Sequence, residues 1–331
     1  MRTLPLPLVL RHRAELAQDM DCPLSIKFRC FWQGFTDFHK ESMMKLIELL
    51  FTGIGIKKPI EIISVFNVGR EEKDLFGRLQ TGYLEPNEQN KLYVSFSGEP
   101  FSTIFKYPGS LNLIMDAETA PNIIAIPLFA ISVYELGVWD YLSVPRPIYP
   151  LSRQKFCAFI VRNGHSVRTK FMNMLSQYRK VDCAGTFMNN TGFLAPEGDV
   201  DYRLFLQEYK FIICFENTKQ TNYVTEKLFN AYMGGCIPIY WGSDQVKEWF
   251  NPKAFLTLDC TESTNSLETS MQMLVEKIRI LDTNPELYAA MQQEPLLRSR
   301  DIPEPLQLDR WKSRISDYLK EHRPDMFKES I

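Results

Sequence analysis

Short apolar runs rich in β-branched and aromatic residues alternate with segments whose apolar positions recur every three or four residues. The two periods predict strands and helices in turn. In the first half, SIKFRCFW at Ser25–Trp32 predicts a strand. SMMKLIELLF at Ser42–Phe51 predicts a helix with Ser42 as N-cap, where a hydroxyl can accept from unpaired first-turn amides. Further strands are predicted at Ile60–Phe66, Lys91–Phe96 and Ser110–Met115. The second half restarts the rhythm with a strand at Phe156–Val161 and a helix at Ser166–Tyr178, whose apolar face is Phe171, Met174, Leu175 and Tyr178. A strongly apolar strand at Lys210–Phe215 leads to a helix at Tyr223–Met233, closed by Gly234-Gly235, and then to a strand at Cys236–Trp241. Those three elements have the length, about thirty residues, that a parallel βαβ crossover needs. Helices at Leu267–Leu281 and Leu308–Lys320 follow.

Such alternation predicts an α/β protein with parallel sheets. A chain of 331 residues exceeds the usual size of one hydrophobic core, so two domains are expected. VPRPIYP at Val144–Pro150 interrupts the pattern with prolines, which cannot donate to a ladder or continue a helix, and marks a linker. Open parallel sheets bind ligands outside the carboxyl ends of their strands, so the loops there carry the candidate chemistry.

Composition narrows the partner. With 45% hydrophobic and 24% charged residues, the chain is neither disordered, collagenous nor a coiled-coil rod. Its 38 basic and 40 acidic side chains give a net charge of −2, without the surplus of Lys and Arg that phosphate backbones require, so no nucleic acid is expected. The seven cysteines are widely spaced, form no C-x-x-C, and several sit in apolar runs such as FIICF and GCIPIY. Reduced, buried thiols are expected rather than a disulfide framework or a zinc site. His12, His39, His165 and His322 are not at metal-ligand spacing from any cysteine, so no structural metal is expected. The opening MRTLPLPLVLRHR holds an apolar run of about seven residues broken by two prolines, too short for a secretory or spanning segment. A cytoplasmic protein is expected; peripheral contact with the inner membrane face, and an anchor missing from this sequence, stay open.

The most informative segment is Phe215–Ser243, FENTKQTNYVTEKLFNAYMGGCIPIYWGS. An apolar strand feeds a polar loop and then a helix opening with Tyr-Val-Thr-Glu-Lys, whose unpaired amides and dipole favour an anion. Lys227 adds a full cation there, Glu226 could accept both hydroxyls of a ribose, and Tyr223 offers a flat face to a base or sugar. A helix start with surface Glu and Lys beside a core Tyr has the same spacing. Arg168, beyond the strand Phe156–Val161, could fork onto a diphosphate or simply lie exposed in a first turn. Glu99, between Gly98 and Pro100 beyond the strand Lys91–Phe96, sits where a general base would be useful, although loop carboxylates are commonly just solvated.

Three near-motifs are discounted. Asp199-Val200-Asp201 has the D-x-D form that holds a metal on some nucleotide-sugars, but before a helix at Tyr202–Glu208 it reads as an N-cap and first-turn acid. Gly53-Ile54-Gly55 opens like a dinucleotide fingerprint that Lys58 then breaks. Asn189-Asn190-Thr191 is a formal glycosylation sequon, taken as chance without a signal peptide.

The Phe215–Ser243 segment, continued by NPKAFLTLD, closely resembles the donor-binding signature of the α-1,3-fucosyltransferases, glycosyltransferase family 10, in its bacterial form. VRTKFMNMLSQYRKVDCAG resembles the family's R-x-x-F…L pattern and YVSFSGEP its first-domain Y-x-x-G-E segment. The likeness is dense over residues 156–260 and sparser over 90–135. It implies an α/β GT-B architecture of two Rossmann-like domains facing a cleft: residues 1–148 on the acceptor side, 149–302 binding GDP-fucose, and a C-terminal helix within 303–331 packing back on the first domain. It implies inverting transfer of L-fucose from GDP-fucose to O3 of GlcNAc in a glycan such as N-acetyllactosamine, the chemistry of Lewis-antigen and protein glycosylation, with no cofactor and no essential divalent metal. Glu99 matches the family's proposed base. Arg168 and Lys227 match the cations on the diphosphate, Glu226 the ribose-binding carboxylate, and Asn217 and Tyr223 residues lining the nucleotide pocket. The heptad repeats and basic tail of some bacterial members are absent, which leaves membrane association and oligomeric state open. Acceptor preference is expected to lie in loops at Phe31–Phe38 and Phe101–Pro108. A GT-B enzyme using another nucleotide-sugar, and a glycan-binding relative without catalysis, stay open as alternatives.

Overall fold

The computed structural model describes residues 25–29, 37–64, 71–73, 79–81, 90–100, 109–115, 117–146, 155–197, 199–259 and 266–328. The outer ends of the strands expected at Ser25–Trp32 and Ile60–Phe66, Pro147–Pro150, the loop Phe101–Pro108, most of the loop Phe31–Phe38, and Cys22, Cys30 and Cys260 lie outside these residues. The chain divides into two compact units, residues 1–138 with 302–331, and residues 139–301.

In the first unit, β1 (Ile26–Arg29) and β2 (Ile60–Ser64) are followed by a small antiparallel hairpin of β3 (Glu71–Lys73) and β4 (Leu79–Thr81). Next come β5 (Leu92–Ser97), β6 (Leu111–Ile114) and β7 (Ile123–Ala125). The main sheet runs β1-β2-β5-β6-β7, every pairing parallel. All residues of β2, β5, β6 and β7 are buried, as a parallel sheet covered on both faces requires. Polar groups inside it are paired: Ser95 Oγ donates to Asn112 Oδ1 at 2.7 Å, and Lys91 bonds Glu61 at 2.8 Å.

Three features of this unit depart from the pattern-based expectation. The first helix spans Asp37–Phe51, so Ser42 lies inside it and is not its N-cap. Its opening DFHKES is mostly polar and shows no apolar period to mark the start. The helix Leu128–Leu136 escaped notice because LFAISVYEL is apolar almost all round. β7 and the EEK and LQT strands are too short or too polar to show alternation. The glycines of Gly53-Ile54-Gly55 take φ of +83° and +88° just beyond the first helix, so they serve to turn the chain.

The C-terminal helix, Leu308–His322, belongs to the first unit. It buries Trp311, Ile315, Tyr318 and Leu319, an i, i+4, i+7, i+8 stripe. Arg310 bonds Glu118 at 2.7 Å, Arg314 bonds the same carboxylate, and Glu118 also accepts the Ala125 amide of β7 at 2.9 Å. The Tyr134 hydroxyl donates to the Leu306 carbonyl at 2.7 Å and accepts from the Leu308 amide at 2.8 Å.

The second unit contains β8 (Lys155–Phe159), β9 (Val181–Cys183), β10 (Tyr209–Phe215), β11 (Ile237–Trp241) and β12 (Leu256–Thr257). These form a parallel sheet in the order β12-β11-β10-β8-β9. By chain position that is the 2-1-3-4-5 order of doubly wound folds, with a topological switch point between β8 and β10. The helix Ser166–Tyr178 stands where the periodicity placed it, and Phe171 stacks on Phe215 with centroids 5.0 Å apart. Asp282, near the end of the helix Ser266–Thr283, accepts from Lys210 at 2.5 Å, Arg179 at 2.9 Å and Tyr178 at 3.0 Å, which ties that helix to β10 and to Ser166–Tyr178.

The helix expected at Tyr202–Glu208 spans Asp199–Leu206, so Asp199, expected as the N-cap, lies within it, and Asp201 is in its first turn as expected. Arg146, in the expected linker, is buried and donates to the carbonyls of Gln292, Tyr232 and Cys236, which fastens that end of the segment to the second unit. Cys157, Cys183, Cys214 and Cys236 are buried, and burial pushes the Cys157 and Cys214 thiols well up. No helix among the described residues is long and apolar enough to cross a membrane.

Candidate active site

β10 ends at Phe215 beside the switch point, and the next two residues organise the site. Arg168, in the first turn of Ser166–Tyr178 and only 4% exposed, donates to the Phe215 carbonyl from Nε at 3.1 Å and from Nη2 at 2.7 Å. Nη2 also reaches Asn217 Oδ1 at 2.5 Å. The first turn that could have left Arg168 in solvent instead turns it under the β10 carboxyl end. Burial lowers its pKa, partly offset by Glu216 and Tyr223.

Glu216 is fully buried, and its amide donates to the Trp241 carbonyl at 2.8 Å, which locks it beside the end of β11. One carboxylate oxygen accepts the Thr225 amide at 2.7 Å. The other accepts the Thr225 hydroxyl at 2.8 Å and the Lys227 ammonium at 3.0 Å. The Thr225 hydroxyl itself accepts from Lys227 at 2.9 Å, so it relays between cation and anion. Burial pushes the Lys227 pKa down, but Glu216 and Glu226 outweigh it and the net direction is up.

Thr225 is the N-cap of the helix Glu226–Met233, which therefore starts three residues later than its composition suggested. Glu226 is its first residue and half-buried; Asn217 is exposed. Tyr223 is 1% exposed. Its ring is a core element here and not the open stacking face that the loop composition suggested; Tyr223 and Val224 precede the helix and pack inward as an apolar pair before its polar first turn. The structure thus gathers Arg168, Asn217, Tyr223, Glu226 and Lys227 around one strand end. Sequence reasoning missed Glu216, the residue that joins them, although an acid directly after the apolar FIICF was a usable signal. Gly242 makes room for it: a Cβ there would lie 2.5 Å from the Tyr240 hydroxyl and 2.6 Å from Glu216 Cγ.

Glu99 belongs to the first unit, two residues beyond the end of β5, and is half-buried. The Ser97 hydroxyl accepts from the Glu99 amide and donates to the Glu99 carbonyl, both at 3.2 Å, which fixes the backbone of the turn. No group of three or more His, Cys, Asp or Glu among the described residues is arranged to hold a metal ion.

Residues 151–291 match the family model for the C-terminal domain of glycosyltransferase family 10 (fucosyltransferase). Over 153 residues the chain is 33% identical to the α-(1,3)-fucosyltransferase of Helicobacter pylori, which covers 46% of this chain and 30% of that one. Over 147 residues it is 37% identical to α-(1,3)-fucosyltransferase B of Drosophila melanogaster, covering 41% and 31%. Both alignments take in less than a third of the relative's length. A crystal structure of an α1,3-fucosyltransferase with GDP-fucose is similar with a TM-score of 0.63 at 19% identity, over 92% of this chain and 93% of that one. This likeness establishes the fold, α/β with parallel sheets as in GT-B fucosyltransferases.

Proposed function

We propose, from the match of residues 151–291 to the glycosyltransferase family 10 model, that the chain transfers L-fucose from GDP-fucose to a glycan hydroxyl, O3 of GlcNAc, with inversion at the anomeric carbon. The observation that carries this reading is the pair of cations, Arg168 and Lys227, brought together at the switch point of the unit that the family model matches. Ligands of doubly wound sheets bind at that crevice, and a helix N-terminus there favours a diphosphate. Arg168 and Lys227 hold the diphosphate, Glu226 takes the ribose hydroxyls, and Asn217 lines the pocket. Tyr223 supports it from below.

In a single displacement, the Glu99 carboxylate removes the proton of the acceptor hydroxyl as its oxygen attacks the anomeric carbon. The bond from that carbon to the phosphate oxygen breaks on the opposite face, and GDP leaves with the electron pair. Negative charge grows on the diphosphate, where fixed cations in a low-dielectric site stabilise it without reorganising. These cations supply the role a divalent ion plays elsewhere, so turnover is expected to persist in EDTA.

The test is a donor and acceptor panel. GDP-, UDP- and CDP-sugars are compared by thermal shift, where a ligand at 100 times its Kd stabilises by about 2.7 kcal/mol. Linkage analysis then identifies the product formed on N-acetyllactosamine. Stabilisation by GDP-fucose and a 1,3-linked product support the reading; preference for a UDP- or CDP-sugar, or no product, overturns it.

A further inference from the structure

Resting on that donor-site reading, we propose that Glu216 is the positioning residue of the site: its buried carboxylate holds the Lys227 ammonium and the start of the helix Glu226–Met233 in the arrangement that receives a nucleoside diphosphate. Four observations converge on it. Glu216 is fully buried, and its amide is bonded to the end of β11, so its position is set by the sheet. Both carboxylate oxygens are engaged, one on the N-cap amide and the other on the Thr225 hydroxyl and Lys227. Its sequence neighbours Phe215 and Asn217 hold Arg168, so three consecutive residues fix both cations. A side chain at position 242 would collide with Glu216 Cγ.

The charges show why an acid serves there. Arg168 and Lys227 repel each other, and the Glu216 carboxylate bonded to the ammonium offsets that repulsion. Without Glu216, burial would favour the neutral amine of Lys227. The groups facing Lys227 are Glu216 from the strand end, Glu226 on its own helix, Arg168 from the helix Ser166–Tyr178 and Cys214 from β10. Tyr223 and Tyr240 stand beside Arg168 and Glu216. Burial keeps the Cys214 thiol neutral, Arg168 acts against the protonated ammonium, and Glu226 makes no hydrogen bond to it among the described residues. Glu216 is thus the anion that both bonds the ammonium and favours its charge.

The experiment is calorimetric titration of the full chain with GDP between about pH 7 and 9, below the ordinary lysine range. The unaltered protein is compared with Glu216→Gln and with the double variant Glu216→Gln/Lys227→Arg. Affinity of the unaltered protein is expected to stay level. Glu216→Gln is expected to bind about 10-fold more weakly at the lower pH, the scale of one charged hydrogen bond, and to weaken further as pH rises. The double variant is expected to lose that further fall, because a guanidinium stays charged. A Glu216→Gln profile parallel to that of the unaltered protein overturns the proposal and leaves the donor site standing. Absence of GDP binding by the unaltered protein overturns both. A purely structural role would lower stability without moving the pH profile. Should Glu216→Gln not fold, the Lys227 ammonium is titrated by NMR in the unaltered protein, with its signal assigned by loss in Lys227→Arg. Titration above the other lysines supports the proposal, and titration at or below them overturns it.

Discussion

In both units five described strands run parallel, and just beyond the middle one, β5 or β10, stands a candidate carboxylate, Glu99 or Glu216. The surroundings differ. In the second unit the chain order reverses between β8 and β10, and Arg168 and residues 215–217 occupy that switch point with every charge buried or paired. In the first unit the described strands follow one another in chain order without a reversal, and Glu99 stands on a turn whose backbone is fixed by one serine hydroxyl. The difference suits the two roles proposed for these residues. Cations that stabilise a leaving group work best when held in advance in a low-dielectric setting. A base has to meet an acceptor and exchange a proton, so a half-buried carboxylate on a short turn suits it.

Substitutions can break this comparison or sharpen it. The largest effect is expected from Glu99→Gln, which should lower turnover by about 10²-fold or more while GDP affinity stays unchanged; steady-state kinetics beside GDP titration separates the two. Arg168→Ala should weaken GDP binding by about 10²-fold through the loss of charged hydrogen bonds, and should lower turnover as well because the same cation stabilises the leaving group. If each variant impaired both quantities equally, the division of labour between the units would fail.

Gly242→Ala forces a methyl group against the Tyr240 hydroxyl and Glu216 Cγ, and overpacking of this kind costs about 1–3 kcal/mol, readable in a denaturant midpoint. Asp282 supplies a pH-dependent counterpart in the second unit, away from the strand end that bears the site. Burial raises its pKa, but hydrogen bonds from Lys210, Arg179 and Tyr178 outweigh this and hold it below the usual carboxylate range. Its contribution is therefore present above the unfolded-state pKa and is lost as pH falls through the lower folded value. Asp282→Asn should cost about 1–3 kcal/mol near neutrality and progressively less in acid, measured as thermal midpoints across pH. The smallest effect is expected from Ser97→Ala, about 1 kcal/mol or less in activation free energy, because the bonds lost are those of a neutral hydroxyl.

Much of the second unit was legible in the sequence because β8, β10 and β11 are apolar runs and the helix Ser166–Tyr178 shows a clean period, whereas β9 and β12, three and two residues long, left no pattern to read. The helix Ser166–Tyr178 was placed to the residue, and β10 and β11 to within one residue. The first unit read less well. The helix Asp37–Phe51 begins in polar residues, Leu128–Leu136 has no polar face, and β7 is three residues long. Within the site, residue type and loop position pointed to Arg168, Glu226 and Lys227 and left Tyr223 open between a stacking face and the core, but nothing local indicated that Glu216 would bridge to Thr225 and Lys227. Those relations connect positions up to eleven residues apart across a strand end, and only the folded chain creates them.

Whether the switch point of the second unit takes GDP-fucose is decided by calorimetric titration of GDP-fucose into the unaltered chain and Arg168→Ala. Saturable binding of one GDP-fucose by the unaltered protein is expected, reduced by about 10²-fold in Arg168→Ala. Absence of binding, or equal affinity in the two proteins, would contradict it.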